Sequence, residues 1–175
     1  MSRIAVWLQK QENRMFGLVN NRMRHAALDL IFSSVTHLGG ATLTILMTAL
    51  IALFAEASVR TVALQSMAAL AISHIPVAIV KKKYPRLRPY LVLPDAKTYK
   101  NPLTDHSFPS GHTTAIFAVV TPFAFAYPAA GLVLVPLACL VGLSRMYLGL
   151  HYPSDCLAGF VIGTLTGAAA SAWIL

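Results

Sequence analysis

Three clusters of polar residues stand out in this chain because their side chains could bind and cleave a phosphate group. They contain three cations, two histidines, a serine, a glycine and a carboxylate. Their patterns are Lys81-(six residues)-Arg88-Pro89, Pro109-Ser110-Gly111-His112 and Arg145-(five residues)-His151-(three residues)-Asp155. Only 11% of the residues are charged, and ionisable groups in an apolar setting are usually kept for a functional site. The clusters therefore predict a phosphate-binding site with a nucleophile and an acid beside it.

The cations of these clusters suit the binding of a phosphate group. A phosphate ester carries about two negative charges near neutral pH, and an arginine can bind two of its oxygens at once. Lys81, Arg88 and Arg145 supply the positive charge, and Pro89 fixes the backbone directly after Arg88. Taken alone, the segment from Lys81 to Arg88 is better explained as a juxtamembrane basic patch.

The second cluster lies where a loop is expected to become a helix. Ser110 suits the N-cap position, and Gly111 lets the backbone approach a ligand closely. The exposed N–H groups of such a helix start can donate to a phosphate oxygen. His112 could then protonate the leaving group. The alternative for this cluster is an ordinary helix cap followed by a surface histidine.

The third cluster pairs a histidine with a carboxylate. His151 and Asp155 are four residues apart, so on a helix they share one face. If the helix of the fifth span starts later, near Pro153, the two residues would still be close across its entry turn. A carboxylate bonded to one ring nitrogen fixes the tautomer and leaves the other nitrogen free to attack phosphorus. The alternative is a helix-capping aspartate beside an interfacial histidine.

A metal site is the competing interpretation of the same region. His106, His112, His151 and Asp155 could all offer ligands. The three nearby cations would repel a divalent ion, however, and a cationic pocket needs no metal to hold phosphate. We therefore expect no metal ion at this site.

Composition places the site in a membrane protein. Of the 175 residues, 57% are hydrophobic and the mean hydropathy is +0.65, which is too apolar for a soluble domain of this length. Cys139 and Cys156 lie in or beside apolar runs and suit small core residues better than a disulfide framework. The net charge of +8 is concentrated before the first apolar run and between Lys81 and Lys100. Because no nucleic-acid-binding motif accompanies it, this charge favours anionic lipid head groups over nucleic acid as the partner.

Five apolar segments predict an all-α, polytopic membrane helical bundle. They cover approximately residues 26–55, 61–80, 112–127, 129–147 and 155–175. The later segments are close to the roughly 20 residues that cross a bilayer. The first contains Gly39-Gly40 and is either one tilted span or a short helix, Leu28 to Leu38, followed by a span. We expect five transmembrane helices, with six as the alternative.

The order of the spans predicts that the three clusters meet. The first cluster ends span two, the second begins span three, and the third lies between spans four and five. Because successive spans alternate in direction, both connecting loops lie on one side of the membrane. Residues 3–19 are predicted to form an amphipathic helix in the membrane interface. We expect one domain, with residues 1–24 as this interfacial segment and residues 25–175 as the transmembrane catalytic core.

Taken together, these residues resemble the type 2 phosphatidic acid phosphatase superfamily. All three clusters occur in the order and at the spacing of that family, and the resemblance covers about residue 25 to the C-terminus. It implies that phosphate is bound by Lys81, Arg88, Ser110, Gly111 and Arg145. It also implies that His151 is the nucleophile, that Asp155 orients it, and that His112 protonates the leaving group and then activates water. Neither a metal nor an organic cofactor is implied.

The resemblance also implies a class of substrate. We expect a membrane lipid phosphate or diphosphate, such as phosphatidylglycerophosphate, phosphatidic acid or undecaprenyl diphosphate, in a bacterial plasma membrane. Apart from Arg60, the lysines and arginines lie on the active-site face or in the N-terminal segment. The positive-inside rule therefore favours a cytoplasmic active site, although family members that recycle lipid carriers act on the outer face.

Two other functions stay open from the sequence. A lipid phosphotransferase would pass the phosphoryl group from His151 to an acceptor other than water. A non-catalytic protein that binds or transports lipid phosphates would need Lys81, Arg88 and Arg145 but not the pair of His151 and Asp155.

Overall fold

The fold consists of helices and the loops that connect them. A computed structural model describes residues 3–98 and 102–173. In these residues the helices are α1 (Arg3–Gly17), α2 (Ala26–Val35), α3 (Ala41–Phe54), α4 (Ala57–Lys83), α5 (Pro89–Val92), α6 (Gly111–Ala126), α7 (Pro128–Tyr147) and α8 (Pro153–Trp173). A π-helical turn, Leu18–Arg22, follows α1, and a 3-10 turn, Thr36–Gly39, follows α2. No strand occurs within the described residues, so the predicted all-α class is confirmed.

The chain spans the membrane several times. Helices α4, α7 and α8 have 27, 20 and 21 residues and are long and apolar enough to cross a bilayer. The segment Ala26–Phe54 passes the same test as a pair of helices bent by 57° at Gly40. This bend corresponds to the predicted short helix followed by a further helix. The fifth predicted span is α6, which is apolar but only 16 residues long. By length and composition, three helices of the described residues can each span a bilayer, or four if the bent pair is counted as one span. The predicted count of five is reached only when the shorter helix α6 is counted as well.

Some sequence predictions extend past the described residues. The last predicted span runs to residue 175 and the predicted interfacial segment begins at residue 1, so residues 1–2 and 174–175 lie outside the description. Lys100, at the end of the basic segment, lies outside it as well.

Helix α6 lies at the centre of the bundle and packs against α4, α7 and α8. Ile116, Phe117 and Val120 of α6 are buried with Ala138 and Val141 of α7. Towards α8, contact is close because α8 presents only glycine at three successive turns, at Gly159, Gly163 and Gly167. This packing fixes the start of α6 relative to the start of α8, which is where two of the sequence clusters lie.

The outer faces of the bundle are apolar. Leu132 on α7 is 79% exposed and Leu165 on α8 is 64% exposed. Single exposed leucines are common on soluble proteins, but many large apolar side chains are exposed along α3, α4, α7 and α8, and extensive apolar surface indicates contact with lipid or another apolar surface. The outward leucines therefore agree with the membrane spans predicted from the sequence.

The N-terminal segment packs across the same end of the bundle as the sequence clusters. Helix α1 buries Phe16, whose ring lies 5.9 Å from that of Tyr152, while Trp7 stays exposed. The buried Asn20 follows: its amide nitrogen donates to the carbonyls of Tyr147 and Lys97, both at 2.8 Å, and its oxygen accepts from the Lys97 amide at 2.8 Å. A single side chain thus joins the N-terminal segment to the end of α7 and to the loop that follows α5.

Candidate active site

The three sequence clusters converge at one end of the bundle. The end of α4 provides Lys81, and the residue before α5 is Arg88. The start of α6 provides Ser110, Gly111 and His112, and the end of α7 and start of α8 provide Arg145, His151 and Asp155. Side-chain contacts connect these elements, and the polar groups face a common region.

Arg88 is the group closest to the proposed nucleophile. Its side chain is 1% exposed, and its Nη1 donates to the carbonyl of Leu150 at 2.8 Å and lies 3.2 Å from Nε2 of His151. A guanidinium can only donate hydrogen bonds, so Nε2 of His151 must be the accepting nitrogen. In the neutral ring the proton then lies on Nδ1, and the lone pair of Nε2 is next to the arginine that would bind phosphate.

The other side of the His151 ring faces Asp155. Nδ1 lies 3.6 Å from Oδ2 of Asp155, slightly beyond hydrogen-bond length, and the carboxylate is held by the Tyr152 amide at 2.8 Å. Burial lowers the pKa of His151 to about 4; Asp155 opposes this shift, while Arg145 and Arg88 add to it. The ring is therefore neutral at pH 7, as a nitrogen nucleophile must be. The structure thus brings the carboxylate next to the ring, but not into the hydrogen bond that the third cluster predicts, and Nδ1 has no hydrogen-bond partner among the described residues. His151 precedes α8, so the two side chains meet across the entry to that helix and not along one helix face.

Arg145 is a buried cation with unused hydrogen-bonding capacity. Its side chain is 3% exposed, and Nη1 donates to the hydroxyl of Thr36 at 2.7 Å. Within residues 3–98 and 102–173, Nε and Nη2 have no hydrogen-bond partner. Arg145 and Arg88 also lie close enough to repel each other. Two buried arginines that repel, one of them with free N–H groups, are the arrangement that an anion would stabilise.

Lys81 reaches the site through Asp105, a residue that the sequence clusters do not include. The Asp105 carboxylate accepts from Lys81 Nζ with one oxygen and from Arg88 Nη2 at 2.5 Å with the other. Burial alone would raise its pKa, but the hydrogen bonds from Lys81 and Arg88 lower it to about 2. The side chain is 54% exposed. Asp105 thus pairs with the two cations where a phosphate would be expected to bind them.

Ser110 has the capping role that the sequence predicts. Its hydroxyl accepts from the amide of Thr113 at 3.4 Å and from the Thr113 hydroxyl at 2.9 Å. Its own amide donates to the Asp155 carbonyl at 3.0 Å, so that amide holds α6 to α8 and is not free for phosphate. Ser110 could therefore use its amide or its hydroxyl acceptor for phosphate only by giving up one of these hydrogen bonds.

Gly111 and His112 form the first turn of α6, where amide groups have no partner within the helix. A β-carbon on Gly111 would meet no other atom within 4 Å, so open space adjoins the helix start. The ring of His112 lies beside Gly40, because a β-carbon there would be 3.8 Å from its Nε2. The charges that act on the His112 ring include those of Arg145, His151 and Arg88, so the ring lies near the residues of the other two clusters.

The charges of the site favour an anion over a metal. Among the residues that the structure describes, no three His, Cys, Asp or Glu side chains are grouped as a metal site would need. His106, a candidate ligand by sequence, is exposed. Lys81, Arg88 and Arg145 would instead provide donors to phosphate oxygens.

Two residues near Asp155 were not recognised as part of a site from the sequence. Arg86 donates to Oδ1 of Asp155 at 2.7 Å, and Glu12 of α1 in turn accepts from Arg86 at 2.5 Å. In the sequence, Arg86 is one of several cations in a basic segment and Glu12 one of the polar residues of an amphipathic helix. Neither has a spacing that indicates its partner.

Known proteins resemble this chain both in sequence and in fold. The crystal structure of Aquifex aeolicus LpxE superposes with a TM-score of 0.82 at 27% identity, covering 93% of this chain and 96% of that one. The phosphatidylglycerolphosphate phosphatase of Bacillus subtilis superposes with a TM-score of 0.80, covering 95% and 85%. Its identity is 21%, so that likeness concerns the fold alone.

Curated relatives match over shorter stretches. The bacitracin transport permease protein BcrC of Bacillus licheniformis is 29% identical over 107 residues, which are 61% of this chain and 53% of the relative. A lipid A 1-phosphatase of Rhizobium etli is 40% identical over 57 residues, which are 33% of this chain and 25% of the relative. The chain thus spans about half the length of the first relative and a quarter of the second. The model of the PAP2 superfamily matches residues 62–175, and the chain therefore belongs to the PAP2 superfamily.

Proposed function

We propose that this protein is an integral membrane phosphatase that hydrolyses a lipid phosphate or diphosphate through a phosphohistidine at His151. The observation that carries the proposal is the placement of Nε2 of His151. This nitrogen is neutral, it lies 3.2 Å from a buried guanidinium, and the opposite side of its ring faces a buried carboxylate. A binding site alone would need the cations but not an oriented, unprotonated histidine.

In the first step the phosphate group would bind among the cations. Arg145 would donate from Nε and Nη2, which have no partner within the described residues. Lys81 and Arg88 would exchange the carboxylate of Asp105 for phosphate oxygens. Binding in a buried site strengthens these contacts, because water screens them less.

In the second step Nε2 of His151 would attack phosphorus while the bond from phosphorus to the leaving oxygen breaks. The leaving alkoxide, or the leaving phosphate of a diphosphate, would take a proton from His112. The imidazole would become positively charged as the phosphohistidine forms, and the carboxylate of Asp155 would stabilise that charge across Nδ1. His112 would then be neutral and could act as a base.

In the third step His112 would remove a proton from water and the resulting hydroxide would attack the phosphohistidine. The bond from phosphorus to Nε2 breaks, the electron pair returns to the ring, and inorganic phosphate leaves. Both histidines then have their initial protonation. No step requires a metal, so we expect phosphate release to persist in EDTA.

The test is the release of inorganic phosphate from a lipid phosphate by the purified protein in detergent. Removal of a catalytic nucleophile can lower kcat by about 10⁶-fold, so His151→Ala should abolish release while lipid binding persists. His74→Ala is the matched control, because the hydrogen bonds of His74 to the described residues lie within α4, to Ser73 and to the Leu70 carbonyl. Undiminished turnover by His151→Ala would refute the proposed nucleophile.

The substrate is proposed as a class. Undecaprenyl diphosphate, phosphatidylglycerophosphate, phosphatidic acid and a phosphorylated lipid A should be compared on one preparation. Relatives named as an undecaprenyl-diphosphatase and a lipid A 1-phosphatase match this chain, and the other two are substrates that the family resemblance implies. An acceptor alcohol added to the assay separates hydrolysis from phosphotransfer. A phosphorylated acceptor would favour the phosphotransferase, and binding without any turnover would favour the binding or transport protein.

We further propose that the protein is one membrane-embedded catalytic domain of the bacterial plasma membrane, with α1 in the interface. By the distribution of lysine and arginine, the active site would face the cytoplasm. Single cysteines placed between residues 95 and 105, in a chain without Cys139 and Cys156, can test this in intact cells. Labelling by a membrane-impermeant reagent would contradict the cytoplasmic orientation.

A further inference from the structure

We infer that Arg86 is a positioning residue for the catalytic pair, and that Glu12 of the N-terminal helix holds it in place. This inference rests on the proposed function, because it assigns Arg86 a role through Asp155 and His151. It adds a residue of the amphipathic helix to the set that determines the rate of the reaction.

The contact between Arg86 and Asp155 is the first observation. Nη1 of Arg86 lies 2.7 Å from Oδ1 of Asp155, whose side chain is fully buried. The second oxygen, Oδ2, accepts from the Tyr152 amide and faces His151. Within the described residues, Asp155 forms an ion pair with one cationic side chain of the lysine or arginine type, that of Arg86. Each carboxylate oxygen therefore has a fixed donor, and the direction of Oδ2 towards the histidine depends on both.

The second observation is the set of contacts that holds Arg86 itself. Its Nη2 lies 2.5 Å from Oε2 of Glu12, and its Nη1 also contacts the Ser154 hydroxyl at 2.7 Å. Ser154 in turn donates to Glu12 from its hydroxyl and, at 3.2 Å, from its amide. Glu12 thus connects α1 to both the arginine and the first turn of α8.

The third observation is the position of the guanidinium over an aromatic ring. The Arg86 Cζ lies 3.9 Å from the centre of the Tyr152 ring, which is within the range of a cation–π contact. Tyr152 also provides the amide that binds Oδ2 of Asp155. Arg86 therefore contacts Asp155 directly and also packs on the residue that supplies its other donor.

These contacts exceed what a surface ion pair would show. The Arg86 side chain is 30% exposed, Glu12 is 14% exposed and Asp155 is fully buried. Removing the partner of a buried charge is costly, because the charge is left without compensation. Loss of Arg86 would thus favour protonation or rotation of Asp155, and either change removes the carboxylate from His151.

The experiment measures kcat and KM separately for lipid phosphate hydrolysis by the full-length protein. Arg86→Gln should lower kcat by about 10- to 100-fold. This is the range found in metal sites when a residue that orients a metal-binding side chain is removed, and we expect the same for a residue that orients Asp155. KM should change little, since Lys81, Arg88 and Arg145 are untouched. Arg86→Lys keeps the positive charge but lacks the planar guanidinium that donates to two acceptors at once. It should therefore recover part of the rate.

Glu12→Gln tests whether Glu12 holds Arg86 in place. It also replaces Arg86→Gln as the test variant if Arg86→Gln fails to fold. It should lower kcat by a smaller factor than Arg86→Gln. In the double variant the two losses should not add, as expected for residues in one network. The rate of phosphohistidine formation should fall in parallel with kcat.

Arg24→Gln is the matched control. Arg24 also lies in the N-terminal part of the chain, pairs with a carboxylate, Asp29, at 2.9 Å, and packs over a tyrosine ring, Tyr147, at 4.9 Å. It forms no ion pair with Asp155. Arg24→Gln should therefore keep the kcat of the unmodified protein.

Three results would overturn the inference. The first is an unchanged kcat in folded Arg86→Gln, or in Glu12→Gln if Arg86→Gln does not fold. The second is an equal loss in Arg24→Gln, which would indicate general anchoring of the N-terminus. The third is an unmodified protein that hydrolyses no lipid phosphate, which would remove the proposed function and the inference with it. The first two results occur with an active unmodified protein, so the two failures are distinguishable.

Discussion

The close packing of α8 on α6 predicts a large effect from adding one methyl group. A β-carbon on Gly163 would lie 2.5 Å from the carbonyl oxygen of Thr114 and 2.9 Å from the amide nitrogen of Ala118. Ordinary van der Waals contact begins at 3.4 Å, so about 0.9 Å is missing at the first atom. Both atoms belong to the backbone of α6 and cannot rotate away. Gly163→Ala must therefore push the two helices apart.

This separation should affect both stability and rate. Overpacking of a tight interior costs about 1–3 kcal/mol, so the midpoint of thermal unfolding in detergent should fall. The first turn of α8 contains Asp155, the carboxylate proposed to orient His151, and the start of α6 is proposed to contact phosphate. A misplacement of about 1 Å between reacting groups can cost about 100-fold in rate. We therefore expect Gly163→Ala to lose one to two orders of magnitude in kcat.

Two neighbouring glycines distinguish the loss of stability from the loss of alignment. A β-carbon on Gly159 would lie 2.7 Å from the carbonyl oxygen of Ser110, the N-cap of α6, and a β-carbon on Gly167 would lie 2.7 Å from Cβ of Thr121 in α6. Along the helix axis, however, the two glycines are about 6 and 18 Å from Asp155 at 1.5 Å per residue. Alanine at the two positions should cost similar stability, whereas kcat should fall further for Gly159→Ala.

The assay is phosphate release together with thermal unfolding in the same detergent. Gly142→Ala on α7 is the control, since a β-carbon there would meet Thr113 at 3.5 Å, an ordinary contact. It should leave both measurements near those of the unmodified protein. Full activity and unchanged thermal stability in Gly163→Ala would refute the reasoning, and equal kcat losses at Gly159 and Gly167 would refute the argument from alignment.

Two further predictions concern the charges of the site. The lowered pKa of His151, about 4, keeps the ring neutral in weak acid. The profile must be corrected for ionisation of the substrate and of the proposed acid, His112. The loss of kcat/KM that reports protonation of His151 should then lie near pH 4, and a loss centred near the usual 6.5 would contradict this. Asp105→Asn should lower KM, because the carboxylate no longer competes with phosphate for Lys81 and Arg88. The expected factor is about two- to fivefold, which corresponds to the free energy of an exposed ion pair. A raised KM would instead mean that Asp105 holds these cations in position for the substrate.

The main features of the fold could be predicted because they depend on local patterns. Long apolar segments indicate the spans, and Ser110 was expected at the cap where α6 begins. For the first apolar segment the sequence predicts either one tilted span or a short helix followed by a span, and the structure has two helices bent at Gly40. Composition cannot decide between the two alternatives, since the angle depends on packing against α6 and α7.

Residues that act through distant partners could not be predicted in the same way. Asp105 lies 24 residues from Lys81 and 17 from Arg88, and Thr36 lies 109 residues from Arg145. Their contacts depend on how loops fold back over the bundle, and no helical period relates the partners. The clusters themselves were recognisable only as a set, because each alone has a common structural explanation.

The contact between Arg145 and Thr36 also bears on where the folding unit of this enzyme family begins. Similarity to the PAP2 superfamily starts at residue 62, yet the hydroxyl that orients Arg145 comes from the 3-10 turn well before it. Gly39 of the same turn fits against the backbone of His112 so closely that a β-carbon there would be 2.6 Å from its carbonyl oxygen. A fragment cut at the boundary of similarity would contain every residue of the three clusters but would lack Thr36 and Gly39, which contact Arg145 and His112 of the candidate active site.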